Sequence, residues 1–360
     1  MKLQGKKIMA FLPLKKFKRI VTRVKKLDYK KTRELIMTDS RLNYANEYPV
    51  EITGPDISAY KKGNVGIDYV HTFDSGKPGP HVLISALAHG NEPCGALAAD
   101  WFFKQSERPI QGKLSIAFMN VEAYLAFDPK NPNRTRWVEE DFNRLWGPGV
   151  LQDSSRKKTS EFIRANEVLP AVADADLLLD IHSMQKPCVP LMMAGTVDKG
   201  RELAKAVGMN MSTITDSGHA EGMRMRDYDG FSDPNSKKNS LLVECGQHWE
   251  QSSEEIAIET TIRFLNYAGI MKKGFGAEYL SSSKNKEQMR FFKVGTAITI
   301  KTDRFVFDKD WQGFDHLTKG TLIGKDGEES IVAPYEPTVL IMPTKRLFPG
   351  LTAVRLAFPI

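Results

Sequence analysis

The chain has 360 residues, of which 41% are hydrophobic and 26% are charged, an ordinary composition for a globular protein with a large core. No stretch reaches the roughly 18–20 consecutive apolar residues that a membrane-spanning helix needs, and the basic start lacks the features of a signal peptide. Cys94, Cys188 and Cys245 are too few for a disulfide framework and have the wrong spacing for a zinc ribbon. We therefore expect a reducing, cytoplasmic location.

The net charge of +7 comes from the N-terminus, because residues 1–35 contain 13 Lys/Arg and 2 Asp/Glu while the remainder has 38 basic and 42 acidic residues. Apolar residues recur at helical spacing between Leu14 and Leu27, and a polar helical pattern and linker follow over 28–48. Residues 1–48 are interpreted as a basic helical arm. This arm docks on the body or on a second subunit, touches an anionic membrane or nucleic acid, or is disordered. We favour the docked or subunit-bridging helix, which would allow a homo-oligomer, and expect no nucleic-acid partner.

Strand and helix patterns alternate through residues 49–280, the second expected domain. Short strands broken by turn signals fill 49–80, and a loop-rich polar insertion fills 121–150. The remaining elements, in chain order, are a strand ending at His89, a helix over 94–106, a strand over 114–120, a helix over 155–170, a strand ending at His182, a strand over 189–194, a helix over 198–208, a strand over 240–245 and a helix over 252–269. This alternation predicts an α/β fold with a mixed, mostly parallel sheet and helices on both faces.

The pattern changes after residue 280. Ser281, Ser282 and Ser283 are typical of a linker, and short β patterns separated by turns fill the chain from 290 to 360. Residues 281–360 are therefore predicted to form a small C-terminal all-β domain.

Ionisable side chains follow three of the predicted buried strands. Residues 82–88 run directly into His89, with Glu92 three residues later and Gly90 allowing a sharp turn between them. His182 follows a second apolar run, and Glu244 follows a third. Open α/β sheets bind their ligands beyond the carboxyl ends of the strands, and a catalytic zinc uses three protein ligands plus water.

These strand ends predict a zinc site with His89, Glu92 and His182 as ligands and Glu244 as a spare carboxylate. A His₂Glu zinc with a free Glu as general base is a recurring arrangement for amide hydrolysis. The alternative is that each residue is an ordinary polar group capping a strand. Asp180 either orients His182 or is a strand-end aspartate of this ordinary kind.

Four motifs in a fixed order carry a family resemblance: HGNE (89–92), EEDFNRLWG (139–147), DIHS (180–183) and VECG (243–246). With them, the chain resembles the succinylglutamate desuccinylase/aspartoacylase family of the zinc carboxypeptidase superfamily over roughly residues 50–270. The resemblance implies the zinc carboxypeptidase-like fold, one Zn²⁺ per chain held by the three ligands above, and Glu244 as general base. It also leads us to expect a C-terminal β domain.

The resemblance further implies the residues that bind the substrate. Asn143 and Arg144 match a pair that binds a substrate carboxylate, and Arg136 matches an arginine placed against the scissile carbonyl. Arg134 is near enough in sequence to compete for that role. The substrate would be a small N-acyl molecule with a carboxylate.

Other positions stay open at this stage. Arg224 and Arg226 are candidates for a further substrate arginine, and Tyr335 is a candidate for a partner tyrosine. His219 and His248 are interpreted as free surface histidines. Two other functions remain compatible with the sequence, a metallocarboxypeptidase acting on peptides and a non-catalytic metal-binding scaffold.

Overall fold

The computed structural model describes residues 29–281 and 289–360. The predicted helix within residues 14–27 of the basic arm lies outside these residues. The polar helical pattern that follows it corresponds to helix α1 (Tyr29–Thr38). Across the described ranges, no helix is both long enough and apolar enough to cross a membrane.

The core of the fold is an 11-stranded sheet, whose first seven strands along the chain come from residues 70–247. Their bounds are β1 (Val70–Asp74), β2 (His81–Ala86), β3 (Lys113–Phe118), β4 (Leu177–Met184), β5 (Leu191–Met193), β6 (Ser212–Thr215) and β7 (Asn239–Gln247). They lie in the order β1-β3-β2-β4-β7-β5-β6. Only the β1–β3 and β7–β5 pairs are antiparallel, so the predicted mixed, mostly parallel sheet is confirmed.

Helices cover both faces of this sheet, as predicted. Their bounds are α2 (Cys94–Lys104), α3 (Val121–Leu125), α4 (Ser160–Asp174), α5 (Asp198–Val207) and α6 (Gln251–Ala268). Alternate side chains of β2 enter different clusters, because successive residues of a strand point to opposite faces. Val82 and Ile84 join the apolar cluster that includes α2 and α6, while Leu83 joins Phe162 of α4 in a second cluster.

Several predicted boundaries were wrong by a few residues. Strand β2 ends at Ala86, because Leu87 has a φ of +62° and breaks the extended backbone before His89 is reached. Helix α4 begins at Ser160 and not at 155, since the Thr159 side chain accepts the N–H of Phe162 at 3.0 Å and caps the helix there. His182 and Glu244 lie inside β4 and β7 and not after them.

Residues 289–360 of the C-terminal region contain strands as their only regular elements, as predicted. Its strands are β8 (Phe291–Thr299), β9 (Phe305–Phe307), β10 (His316–Leu317), β11 (Leu322–Asp326), β12 (Glu329–Val332), β13 (Thr338–Ile341) and β14 (Thr352–Pro359). Strands β9, β11 and β12 form a separate antiparallel sheet, whereas β8, β14, β13 and β10 extend the central sheet. The junction is a parallel pairing of β8 with β6. The division of the chain into three domains stays a prediction.

A buried ion-pair cluster also joins the C-terminal region to the rest of the protein. Arg224 Nη2 donates to Asp216 Oδ1 at 2.5 Å, and Arg355 Nε, on β14, donates to Asp216 Oδ2 at 2.9 Å. Burial alone would raise the pKa of Asp216, but the two guanidinium groups lower it to about 2. Asp216 is 2% exposed, so neither charge of these pairs is screened by water.

We expect Asp216→Asn to lower the free energy of unfolding by roughly 3–5 kcal/mol, because it leaves the buried Arg355 guanidinium without a counter-charge and leaves Arg224 with Asp227 alone. The folded pKa of Asp216 lies below its ordinary 3.8, so this stabilisation is present above about pH 4 and is lost as the pH falls towards 2. Urea unfolding of both proteins between pH 7 and pH 2.5 measures the difference. Asp198→Asn, whose carboxylate is 84% exposed, is the matched control and should change stability little. If the difference in unfolding free energy between wild type and Asp216→Asn does not become smaller at acidic pH, the stabilising role of the Asp216 carboxylate is contradicted.

Candidate active site

The three predicted metal ligands meet in one buried cluster. Ligand atoms of His89, Glu92 and His182 all lie within 4.8 Å of one another, and all three residues are buried. They converge because β2 and β4 are adjacent parallel strands, so the segments at their carboxyl ends reach the same edge of the sheet. Gly90 is needed for close approach, since a Cβ there would lie 2.4 Å from the Ala123 carbonyl carbon.

Both imidazoles turn the same ring nitrogen towards Glu92. His89 Nδ1 lies 2.8 Å from Glu92 Oε1, and His182 Nδ1 lies 2.9 Å from Glu92 Oε2. The opposite nitrogens face carboxylates, with His89 Nε2 at 3.0 Å from Asp141 Oδ1 and His182 Nε2 at 3.0 Å from Asp180 Oδ2. A carboxylate behind the imidazole is the usual arrangement for metal-binding histidines, because it fixes the ring and its tautomer.

Asp180 therefore contacts His182 and can orient its ring, and it is not simply a strand-end aspartate. Its other oxygen, Oδ1, accepts the Ser85 hydroxyl at 2.8 Å, and the residue is fully buried. Asp141 is the equivalent partner of His89 and was missed. It lies two residues before Asn143 in the DFNR motif, and its main signal in the sequence was its place in that motif.

The electrostatics of the cluster favour positive charge. Burial would raise the pKa of Glu92, but the two imidazoles hold it well below its usual range. Burial would lower the pKa of His182, but Asp180 and Glu92 raise it well above 6.5. The buried carboxylates on the two sides of the His182 imidazole thus stabilise a positive charge in the cluster. A metal site requires the same electrostatic environment.

Glu244 lies beside the cluster with one oxygen unused. On neighbouring strand β7 it is paired in register with His182 of β4. Its Oε2 is buried and has no hydrogen-bond partner among the described residues. Burial raises the pKa of Glu244 to about 8, with His182 opposing this rise and Glu92 adding to it. A buried, unpaired carboxyl group in a cavity is the kind of group that moves protons in enzymes.

Arg136, and not Arg134, reaches the cluster. Arg136 Nη1 donates to Glu92 Oε1 at 2.9 Å, and its Nη2 lies 2.9 Å from His89 Nε2. Arg134 instead donates from Nη1 to the carbonyl oxygen of Met37 at 3.1 Å. Of the two arginines, only Arg136 contacts the cluster.

Asn143 and Arg144 also reach the cavity. Asn143 Nδ2 lies 3.2 Å from His182 Nε2, and its Oδ1 accepts the N–H of Met225 at 2.7 Å. Arg144 donates from Nη1 to the Asn143 carbonyl oxygen at 2.8 Å, and no carboxylate oxygen of the described residues lies closer to it than 3.8 Å. Its Nε has no hydrogen-bond partner among the described residues, and the carboxylates of Asp141 and Glu221 stay at 3.8 Å, so this guanidinium retains donors that a ligand can use.

These groups share a cavity of about 120 Å³, whose walls come from distant parts of the chain. Tyr44 comes from the segment before the first strand, and Arg346 and Arg355 come from the C-terminal region. None of the three was predicted, because spacing within one motif carries no information about chain segments 300 residues apart. The cavity also contains Cys188, which is not disulfide-bonded.

The structure shows where the remaining candidate substrate-binding residues lie. Arg224 lines the cavity but is neutralised by Asp216 and Asp227, and Arg226 is fully buried in contacts with Asp227 and Ser240. Tyr335 is bonded to Thr296 and lies outside the cavity lining.

The interpretation of His219 and His248 as free surface histidines was wrong. His248 is 2% exposed, and its Nδ1 lies 2.9 Å from the Ser183 hydroxyl. The side chain of His219 is 12% exposed and contacts Arg355. Both line the cavity: His248 directly follows β7, with its N–H donating to the Met184 carbonyl oxygen at 2.9 Å, and His219 follows β6 and contacts Thr352 of β14.

Comparison with known proteins identifies the family. The model of the succinylglutamate desuccinylase/aspartoacylase catalytic domain matches residues 78–268, which is more than half of the chain. The chain belongs to this family of N-acyl amino acid deacylases. The expected resemblance is thereby confirmed.

Individual relatives are distant. A succinylglutamate desuccinylase of Shewanella denitrificans is 22% identical over 300 residues, covering 77% of this chain and 81% of the relative. One of Pseudoalteromonas atlantica is 20% identical over 297 residues, with the same coverage of 77% and 81%.

Solved structures share the fold. The succinylglutamate desuccinylase of Vibrio parahaemolyticus has a TM-score of 0.59 at 15% identity, covering 81% of this chain and 86% of that one. Murine aminoacylase 3 has a TM-score of 0.55 at 17% identity, covering 79% of this chain and 96% of that one. At this identity, the likeness establishes the fold.

One buried carboxylate holds the loop that carries Arg136, Asp141 and Asn143. Glu161, on α4, accepts the backbone N–H groups of Val138, Glu139 and Glu140 at 2.7–3.3 Å and the Asn120 amide at 3.0 Å. Burial raises the pKa of Glu161 to about 7, yet all four of these neighbours are donors. Only the ionised carboxylate can accept from all of them.

We expect Glu161→Gln to lower the free energy of unfolding by about 1–3 kcal/mol, because its amide group would face buried N–H donors. Chemical denaturation measures the change. Glu167→Gln, on the same helix with its carboxylate 43% exposed in a pair with Arg164, is the control and should lie within about 0.5 kcal/mol of wild type. Equal stability of the two variants would show that the Glu161 carboxylate does not hold the loop.

Proposed function

We propose that the protein is a zinc-dependent deacylase that hydrolyses the amide bond of a small N-acyl amino acid or related N-acyl amine. The observation that carries this proposal is the convergence of three metal-ligating side chains on the unpaired carboxyl group of Glu244 within one cavity. The family is one of enzymes that act on N-acyl amino acids, which supports the same reaction.

The donor set suits zinc. Two imidazoles and one carboxylate are the ligand set of several hydrolytic zinc sites, which leave a further position for water. His89, Glu92 and His182 would hold the ion, with Asp141 and Asp180 orienting the two imidazoles. When bound there, Zn²⁺ would lower the pKa of a coordinated water to about 7, which would supply a nucleophile at neutral pH.

Glu244 would act as the general base and then as the acid. Its free Oε2 can accept a proton from water in the cavity and return that proton to the leaving amine. The same group can serve both steps, because taking the proton of the water leaves it protonated and able to act as the acid.

The arginines would orient and polarise the substrate. The Arg136 guanidinium lies against Glu92 and His89, where it can donate to the oxygen of the scissile carbonyl as negative charge develops. Arg144 has unused donors in a planar fork, which suits bidentate binding of a carboxylate, and Asn143 lies beside it. Fixing the carboxylate in this way places the amide over the metal ligands.

The small cavity favours an N-acyl amino acid over a peptide. Its walls include the C-terminal Arg346 and Arg355 and the N-terminal Tyr44, so a long chain would have to pass between these segments. A cytoplasmic location agrees with three free cysteines, two of them buried.

We expect His182→Ala to lose bound zinc, because two remaining ligands are too few to hold it against dilution. Metal analysis of the purified protein measures the zinc content per chain, and chelator treatment of wild type should abolish turnover in parallel. His71→Ala, which removes a histidine bonded to the Tyr60 carbonyl oxygen outside the cavity, is the control and should keep its zinc. Full zinc content in His182→Ala would overturn the ligand assignment.

We expect Glu244→Gln to retain zinc and to lose turnover by about 10²–10⁴-fold, since proton transfer by a positioned group contributes this much. The assay is release of free amine from N-acetyl, N-succinyl and longer N-acyl amino acids and from short peptides. Turnover of peptides alone would move the assignment to a metallocarboxypeptidase. Near-wild-type activity of Glu244→Gln would remove this residue from the mechanism.

A further inference from the structure

The cavity has more positive than negative side chains. Its lining includes two carboxylate residues, Glu92 and Glu244, and six basic ones: Arg136, Arg144, Lys186, Arg224, Arg346 and Arg355. Four of the basic groups have a carboxylate partner within 2.9 Å. These pairs are Arg136 with Glu92, Lys186 with Asp310, Arg224 with Asp216, and Arg355 with Asp216. Arg144 and Arg346 are left to interact with a ligand.

Arg346 is the less compensated of the two. Among residues 29–281 and 289–360, no carboxylate oxygen lies within 4.0 Å of its guanidinium, and no side-chain hydrogen bond satisfies it. Burial, with a further contribution from the charge of Arg136, lowers its pKa to about 10. Arg346 is partly exposed and lines the cavity, so its guanidinium is accessible to a ligand, and an anion placed beside it would supply the missing charge partner.

The side chain of Arg346 is nevertheless held in place. Its guanidinium carbon lies 5.6 Å from the ring centre of Trp137, within the range of a cation–π contact. Trp137 is 1% exposed, and its indole N–H donates to Asp39 at 2.8 Å, so the ring itself cannot move freely. The guanidinium is thus positioned in advance of any ligand, which reduces the entropy lost on binding.

Tyr44 adds a hydroxyl group to the same wall. It lies in the segment 39–48, which is fixed to the body by the Trp137–Asp39 hydrogen bond and by a contact between Lys345 and Glu47. Burial raises the pKa of Tyr44, while the charges of Arg346 and Arg136 and a hydrogen bond with Gln185 oppose this rise. A neutral phenol is a donor to an anion at neutral pH.

We propose that Arg346, assisted by Tyr44, is a substrate-binding residue that holds a second anionic group of the substrate, apart from the carboxylate on Arg144. Both residues lie outside the range 78–268 that matches the family catalytic domain. We call these two residues, together with the Trp137 ring that contacts Arg346, the outer wall of the cavity. This inference rests on the proposed function for its substrate, and it makes the outer wall the part of the cavity that selects between charged and neutral substrates.

Matched substrate pairs test the selection. In one pair the second carboxylate is on the amine half, N-acetylglutamate against its neutral amide N-acetylglutamine. In the other it is on the acyl half, N-succinylglycine against N-succinamoylglycine. We expect wild type to prefer the charged member of at least one pair. Arg346→Met should lower this ratio of kcat/KM by about 10- to 100-fold, the range for a charge-assisted hydrogen bond.

Three further variants complete the kinetic test. Arg346→Lys keeps the charge and should retain part of the preference, and Tyr44→Phe should lower it less than Arg346→Met does. Arg304→Met, which removes a guanidinium that is 67% exposed, is the control and should keep the wild-type ratio. A ratio that is unchanged in Arg346→Met for both pairs, or equal losses on both members of each pair, would overturn the proposal.

Binding separates this proposal from the proposed function. Zinc-loaded Glu244→Gln and its double variant with Arg346→Met can be titrated with the same four compounds by calorimetry, which requires no turnover. If wild type hydrolyses none of them, the proposed function fails for these substrates. Tighter binding of a charged member that is lost with Arg346→Met would still support the outer wall, whereas equal binding of charged and neutral members would overturn it.

Discussion

The requirement that buried charges be compensated determines how the site is built. Glu92, Asp141 and Asp180 are all buried around two imidazoles, and no one of them could remain ionised there alone. Each is stabilised by hydrogen bonds from a different part of the chain. Ser85 holds Asp180, Arg136 holds Glu92, and the N–H of Asn143 donates to Asp141. The strands, the loop before residue 144 and the site are therefore stable only together.

The fold class could be predicted because its signals are local. Apolar runs without alternation indicate strands buried on both faces, and the run before His89 and the run before His182 became neighbouring parallel strands. The candidate metal ligands His89, Glu92 and His182 could be proposed from the same patterns, since each lies at or just after the end of such a run. Even so, the prediction placed His182 and Glu244 after their strands, because hydrophobicity does not show how far backbone pairing continues through polar residues.

The rest of the site could not be predicted, because it depends on contacts between segments distant in sequence. Asp141 and Glu161 are acidic residues among many, and only the fold shows that one contacts an imidazole and the other three backbone N–H groups. Arg346 and Tyr44 are separated by 302 positions and belong to no shared motif. The same limit explains the error for His219 and His248, because the residues that they contact, Arg355 and Ser183, lie far from them in the sequence.

The pairing of β8 with β6 has a consequence for how substrates enter. Since the C-terminal strands continue the central sheet through backbone hydrogen bonds, that region cannot swing away as a hinged unit without breaking the sheet. Access to the cavity must therefore depend on shorter segments at its rim. The segment 39–48 is fixed mainly by side-chain contacts, which open at far lower cost than a strand pairing. Segment 39–48 is thus placed to affect the rate at which ligands exchange, although it contains none of the three candidate metal ligands.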